Sequence, residues 1–301
     1  MLRSLVGSEM CIRDSLGYGE LGVYGQKIIE TPNIDALAKK GLLFTDHYTG
    51  SPVCAPARSV LMTGQHSGHT HIRNNGEWSD RGDVWSFEAM FNDPSLEGQR
   101  PLPDSTITVA KVFKDNGYKT GMVGKWGLGA PHTNSIPNLM GFDFFYGYNC
   151  QRQAHTFYPT HLWKNTEKDI LNNYIVTKQE GLDSGADINS EESYKKYNQA
   201  DYSATLMHNE ALKFIDDNKD SKFFLYYASP LPHLPLQAPK DWVDYYREKI
   251  GPEKPYTGRR YYPNQYPKAT YAAMISYLDE QVGGIVDKLK EIGKYENTLI
   301  I

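Results

Sequence analysis

The chain has little cysteine, no excess of basic charge and no long apolar run, and each shortage removes a class of function. Three cysteines in 301 residues, Cys11, Cys54 and Cys150, form neither a disulfide framework nor a Cys-x-x-Cys metal pair. A formal net charge of −4, from 32 basic and 36 acidic residues, leaves no footprint for nucleic acid or an anionic membrane surface. No hydrophobic stretch reaches the roughly 20 residues needed to span a bilayer, and the N-terminus lacks the apolar core and small-residue cleavage site of a signal peptide. An anionic substrate would have to be held by a few local cations.

With 40% hydrophobic residues, the chain can bury the core of one large domain. Helical patterns alternate with short apolar runs bounded by turn residues, which predicts an α/β fold with a largely parallel sheet. "TPNIDALAKKG" places Ile34, Leu37 and Ala38 at helical spacing with Gly41 as a stop, and "LLFTDHY" after it reads as a strand. "TITVAKVFKDNG" repeats this, with Val109, Val112 and Phe113 inward and Gly117 ahead of the strand "YKTGMVG". A third unit is the helix of "YSATLMHNEALKFIDDN" with the strand "KFFLYYAS", and a fourth is the helix of "ATYAAMISYLDEQVGGIVDKLKEIG" with "NTLII". The stretches 74–105, 165–200 and 245–271 are polar and rich in glycine, proline or tyrosine, and read as loops that carry specificity where strands end.

Cys54 stands among prolines and small residues in "SPVCAPARSVLMTG", directly before a helix start. Backbone N–H groups and the helix dipole at such a place lower a thiol pKa and hold anions. Arg58, one turn on, can face the same point. The residues alone are compatible with an anion pocket containing a nucleophile and with a buried structural thiol.

"CAPARSVLMTG" resembles the sulfatase signature, whose Cys-x-Pro-x-Arg core falls on Cys54, Pro56 and Arg58, with Leu61, Thr63 and Gly64 completing it. The resemblance runs from Leu16 to Ile301 through "LGYGELGVYGQ", "TPNIDALAKKGLLFTDHY", "GYKTGMVGKWGLG", "GFDFFYGY" and "LPHLPLQAP". It implies an alkaline-phosphatase-like α/β/α sandwich with a mostly parallel central sheet. It also implies that a formylglycine-generating enzyme oxidises Cys54 to formylglycine, whose hydrate attacks sulfur and forms a covalent sulfo-enzyme. Arg58 and Lys125 would then neutralise the sulfate oxygens, and His233 would protonate the leaving alkoxide. The block "GFDFFYGYNCQRQAHTFYPTHLWKN" resembles bacterial sulfatases acting on galactose or galactosamine units of sulfated polysaccharides, which implies a periplasmic or secreted parent protein.

The sequence also departs from the family. Residues 5–15, "LVGSEMCIRDS", read back as a transposon-library adapter, so 1–15 is expected to be foreign and 16–301 to be a catalytic domain truncated before its C-terminal subdomain. Family members bind calcium through an Asp-Asp pair before "LGYG" and an Asp-Asn pair beyond "NTLII". Here Asp14 matches the first ligand only by accident and the other ligands are missing, so this polypeptide is expected to be inactive. Gly127 stands where many sulfatases carry a histidine; His155 could replace that residue or contact substrate. His66, His69 and His71 look like a metal cluster but read as packing or substrate-rim residues, with Arg73 and Asn75 as possible sugar contacts. Two rival readings are a phosphonate or phosphate ester hydrolase of the same superfamily and a non-catalytic sugar-binding homologue.

Overall fold

The computed structural model describes residues 4–7, 16–177 and 181–301. Among these residues seven strands form one sheet: β1 (Ser4–Gly7), β2 (Lys119–Lys125), β3 (Phe144–Tyr148), β4 (His161–Lys164), β5 (Glu167–Ile170), β6 (Phe223–Ala228) and β7 (Thr298–Ile300). Their order is β5-β4-β3-β2-β6-β1-β7. The five strands from β3 to β7 in this order are parallel, and β4 and β5 extend one edge as an antiparallel pair. The sheet is thus mixed but mostly parallel, as the alternation of patterns predicts.

Period-two alternation decides which layer each strand residue joins. Met122, Phe145, Phe224 and Tyr226 face one side, where they pack against α2 (Cys54–Thr63) and α4 (Val109–Asp115). Val123, Tyr146, Phe223, Leu225 and Tyr227 face the other, against α5 (Ser203–Asp217) and α7 (Pro267–Glu291). Two helical layers therefore enclose the sheet. Each buried Phe or Leu side chain contributes about 1.5–3 kcal/mol, so the many residues at zero exposure on β2, β3 and β6 make these central strands the anchor of the fold. The remaining helices are α1 (Pro32–Lys40), α3 (Phe87–Asn92) and α6 (Lys240–Ile250). No helix among the described residues is long and apolar enough to cross a membrane.

Helix ends are satisfied both locally and at long range. Thr108 caps α4 by accepting from the Lys111 amide at 3.2 Å. α1 is capped from α7: the buried Asp279 carboxylate accepts from the amides of Asn33 (3.0 Å) and Ile34 (2.7 Å) and from Asn33 Nδ2 (2.8 Å). Burial pushes this carboxyl above its ordinary value although the three donors pull the other way.

Five sequence expectations are corrected, the first being that 74–105 is loop: it contains α3. Residues 42–48 form no strand: they make no ladder pairing among the described residues, and Leu42, Phe44 and Tyr48 are 86%, 61% and 84% exposed. Val112 is exposed on α4, because Ala110 and Phe113, three residues apart, are the ones that reach the core. Residues 245–250 belong to α6, whose Trp242 and Tyr246 rings stack. The stretch 165–200 contains β5, held by pairing to β4. β1 lies wholly in the segment expected to be foreign, yet its backbone pairs with β6 and β7, which requires only N–H and C=O groups in register.

Candidate active site

α2 begins at Cys54 because Val53 is extended (φ −127°, ψ 154°) and Pro56 fits a first helical turn. It ends at Gly64, whose left-handed φ of 65° closes the last turn through its amide to Val60 O. Ala55 and Met62 pack into the sheet, which fixes the helix as a rigid mount. Cys54 is 8% exposed and Arg58, one turn along, only 2% exposed. Lys125, the last residue of β2, is equally buried, and its Nζ donates to Cys54 Sγ at 3.5 Å. The helix N-terminus and the Lys125 ammonium thus meet at one sulfur, with the buried Arg58 one turn along the same helix, a set of positive groups suited to an anion.

The segment after α2 folds back along it. Ser59 and Thr70 bond through their hydroxyls, Arg73 Nε donates to Thr70 O at 3.1 Å, and Asn75 Oδ1 accepts from the Ala55 amide at 2.9 Å. Asn75 therefore supports the turn that carries Cys54, while Arg73 lies on the exposed side of the segment. His66, His69 and His71 are exposed; His66 Nδ1 accepts from the Gly68 amide at 3.1 Å, and the His66 and His69 rings meet at 6.4 Å. Among the described residues no group of three or more His, Cys, Asp or Glu is placed to hold a metal ion. Asp14 lies outside them. The described residues therefore supply no donor set for calcium, and no chemical step is assigned to it.

Beyond Lys125 the chain continues beside β3, with the Trp126 and Gly127 amides bonded to the carbonyls of Tyr148 and Asn149. Gly127 takes φ +71°, and a Cβ there would lie 3.1 Å from Gln151 Cβ and 3.2 Å from Arg58 Nη1. The space a side chain at 127 would need is filled by Gln151 and the Arg58 guanidinium. Gln151 is buried, its amide is bonded to Gln99 Oε1 at 3.0 Å, and its own Oε1 has no hydrogen-bond partner among the described residues. Behind it, Arg152 and Glu77 form a buried ion pair at 2.5 Å, and Glu77 also accepts from Gln99 Nε2 at 3.1 Å.

The second half of the site is aromatic. His155 follows β3 on a short 3₁₀ turn (Gln153–His155), and its ring stacks on His233 with centroids 4.8 Å apart and planes 8° from parallel. His233 Nδ1 lies 2.6 Å from Leu234 O; a carbonyl only accepts, so Nδ1 carries a proton. Tyr261 meets both rings edge-on, at 5.8 Å from His155 and 6.4 Å from His233. Burial, with a smaller electrostatic contribution from Cys54, pushes the Tyr261 phenol above its ordinary value. Tyr261 and Gln151 were missed in the sequence. The one sits in a tyrosine-rich stretch with no pattern of its own, and the other is marked only by its closeness to His155.

Comparison with known proteins adds a family. The family model described as Sulfatase matches residues 11–301. The arylsulfatase of Klebsiella aerogenes is 27% identical over 323 residues, covering 96% of this chain and 63% of that protein. Human N-acetylgalactosamine-6-sulfatase is 26% identical over 306 residues, covering 97% of this chain and 48% of its own length. The solved structure of Ps i-CgsB superposes with a TM-score of 0.68 at 26% identity, over all of this chain and 57% of that one. The chain spans less than two thirds of each of these relatives.

Proposed function

Because the chain belongs to the sulfatase family and has its alkaline-phosphatase-like fold, we propose that it is catalytic sequence of a sulfuric ester hydrolase. Its substrate is sulfated carbohydrate, with galactose or galactosamine units favoured, and its nucleophile is formylglycine made from Cys54. The observation that carries this reading is the Lys125 Nζ contact with Cys54 Sγ beside the buried Arg58. A modified side chain at 54 would supply the attacking oxygen. The chain's own groups do the rest: Arg58 and Lys125 hold the sulfate oxygens, and the α2 N-terminus adds its N–H groups. His233, when protonated at Nε2, donates a proton to the leaving oxygen as its bond to sulfur breaks. The sugar assignment is supported by the human N-acetylgalactosamine-6-sulfatase and by the Ps i-CgsB structure in complex with k-i-k-neocarrahexaose. Polysaccharides of that size are met outside the cytoplasm, so the parent protein acts in the periplasm or after secretion.

The test is peptide mass spectrometry on the full-length protein co-produced with a formylglycine-generating enzyme, followed by rates on aryl sulfate and aryl phosphate. A loss of about 18 Da on the Cys54 peptide, with sulfate cleaved faster than phosphate, supports the proposal. An unmodified thiol, in cells that convert a known sulfatase, removes the nucleophile and favours a sugar-binding homologue. Faster phosphate cleavage moves the protein to the phosphoester hydrolases.

A further inference from the structure

The tyrosine-rich stretch after α6 contains a closed loop. Tyr256 and Asn264 exchange two backbone hydrogen bonds of 2.8 Å, and the Tyr256 hydroxyl accepts from the Arg259 amide at 3.0 Å. Gly258 makes the turn at φ +87°, where a Cβ would meet the Pro263 ring at 3.0 Å. Asn264 fixes the loop relative to the catalytic half of the site. Its Nδ2 donates to Leu236 O at 2.9 Å, three residues past His233, and its Oδ1 accepts from the Tyr266 amide (2.9 Å) and from Thr270 Oγ1 (3.1 Å) on α7. Tyr261, in this loop, touches both His155 and His233.

Arg259 and Arg260 immediately precede that ring. Both are exposed, and neither side chain makes an ion pair or hydrogen bond within the described residues. An exposed arginine is ordinarily only solvated. These two differ in being carried on a pinned loop whose next residue lies against the group that meets the leaving oxygen. In a chain of net charge −4 they put two positive charges in the two positions before Tyr261, the ring that meets His155 and His233.

Resting on the sulfatase reading, we propose that the loop 256–264 is a specificity element in which Arg259 and Arg260 form a second anion subsite. The preferred substrate then carries another anionic group, sulfate or carboxylate, close to the ester that is cleaved. Planar guanidinium groups bind either oxyanion with paired hydrogen bonds, and at a solvent-facing position such binding weakens with salt.

The experiment compares the full-length, formylglycine-bearing protein with an Arg259→Ala/Arg260→Ala variant. Substrates are p-nitrophenyl sulfate, a monosulfated galactose disaccharide, its disulfated counterpart and one bearing a carboxylate in place of the second sulfate. The expected result is a loss of about tenfold or more in kcat/KM, mostly through KM, on the doubly charged sugars, with less than about twofold on the singly charged substrates. The larger loss identifies whether sulfate or carboxylate is the second group, and about 0.5 M salt should erase the wild-type preference. Equal losses on all four substrates, or none, overturn the proposal. If the wild type cleaves no sulfate ester, the sulfatase reading fails by itself. Binding of the mono- and disulfated disaccharides to Cys54→Ser, with and without the arginine substitutions, then decides the subsite: a preference of about tenfold that the substitutions abolish supports it, and the absence of preference overturns it.

Discussion

The two halves of the site are built differently. Around Cys54, Arg58 and Lys125 the groups are buried, mounted on a helix packed into the sheet and on the central strand β2. Around His155, His233 and Tyr261 they are half-exposed, carried on turns and a loop, and held by ring contacts and single hydrogen bonds. The contrast suits the proposed chemistry. Cations that stabilise charge on a small tetrahedral anion act best when preorganised and shielded from water. A group that delivers a proton to a sugar oxygen must remain open to a bulky substrate and to exchange with solvent.

Substitutions can break this contrast. The largest effect is expected in the buried half: Cys54→Ala should reduce turnover to background, and Lys125→Ala should lower kcat by about 10²–10³-fold. The Lys125 loss should be similar for aryl and sugar sulfates, since both present the same anion. Rates on one ester of each kind, measured side by side, check this.

His233→Ala should discriminate between them. A sugar alkoxide needs its proton, so kcat on a sugar sulfate should fall by about 10²–10⁴-fold, whereas an aryl sulfate with an acidic leaving group should lose less than about tenfold. Equal losses on both would show that His233 holds the substrate rather than protonating it.

A smaller effect is expected at Gly127. Ala there must adopt a left-handed φ and press on Gln151 and Arg58, which should cost about 1–2 kcal/mol and lower both the melting temperature and kcat. Gly127→His should be worse than Gly127→Ala, and restored activity in the histidine variant would show that Gln151 yields the space easily.

The smallest effect separates fold from site. His208 on α5 lies against α7, where a Cβ at Gly284 would approach its Nε2 to 2.7 Å, and burial pushes its imidazole from 6.5 down to about 4. Between those values the unfolded chain binds a proton that the folded chain refuses, so stability should decrease as pH falls from 6.5 towards 4 and be level above it with respect to this group. His208→Leu should flatten that slope in a melting-temperature series. Activity profiles for His233 are best read above this window, where the fold makes no contribution from His208.

Legibility followed locality. Cys54 and Arg58 could be paired from the sequence because helical periodicity puts residues four apart on one face, and β2 and β6 could be found because apolar runs bounded by turns are local signals. The same signals misled at 42–48, where an apolar run finds no strand to pair with, and at Val112, where helix phase chose Ala110 and Phe113 instead. The edge strand β5 has no hydrophobic pattern, with Glu167, Lys168 and Asp169 in its four residues, so only its pairing to β4 identifies it.

By itself, the sequence determined the chemistry available: a cysteine at a helix start, a guanidinium one turn away, a lysine at a strand end and a histidine between prolines. Tertiary structure decided which of these groups meet. It brought Lys125 to Cys54 across 71 residues, laid His155 on His233, set Tyr261 against both, and gave the space at Gly127 to Gln151. Periodicity reports only the direction in which a side chain leaves its own helix or strand. Contacts between distant segments depend on how whole layers pack, and no local pattern encodes that.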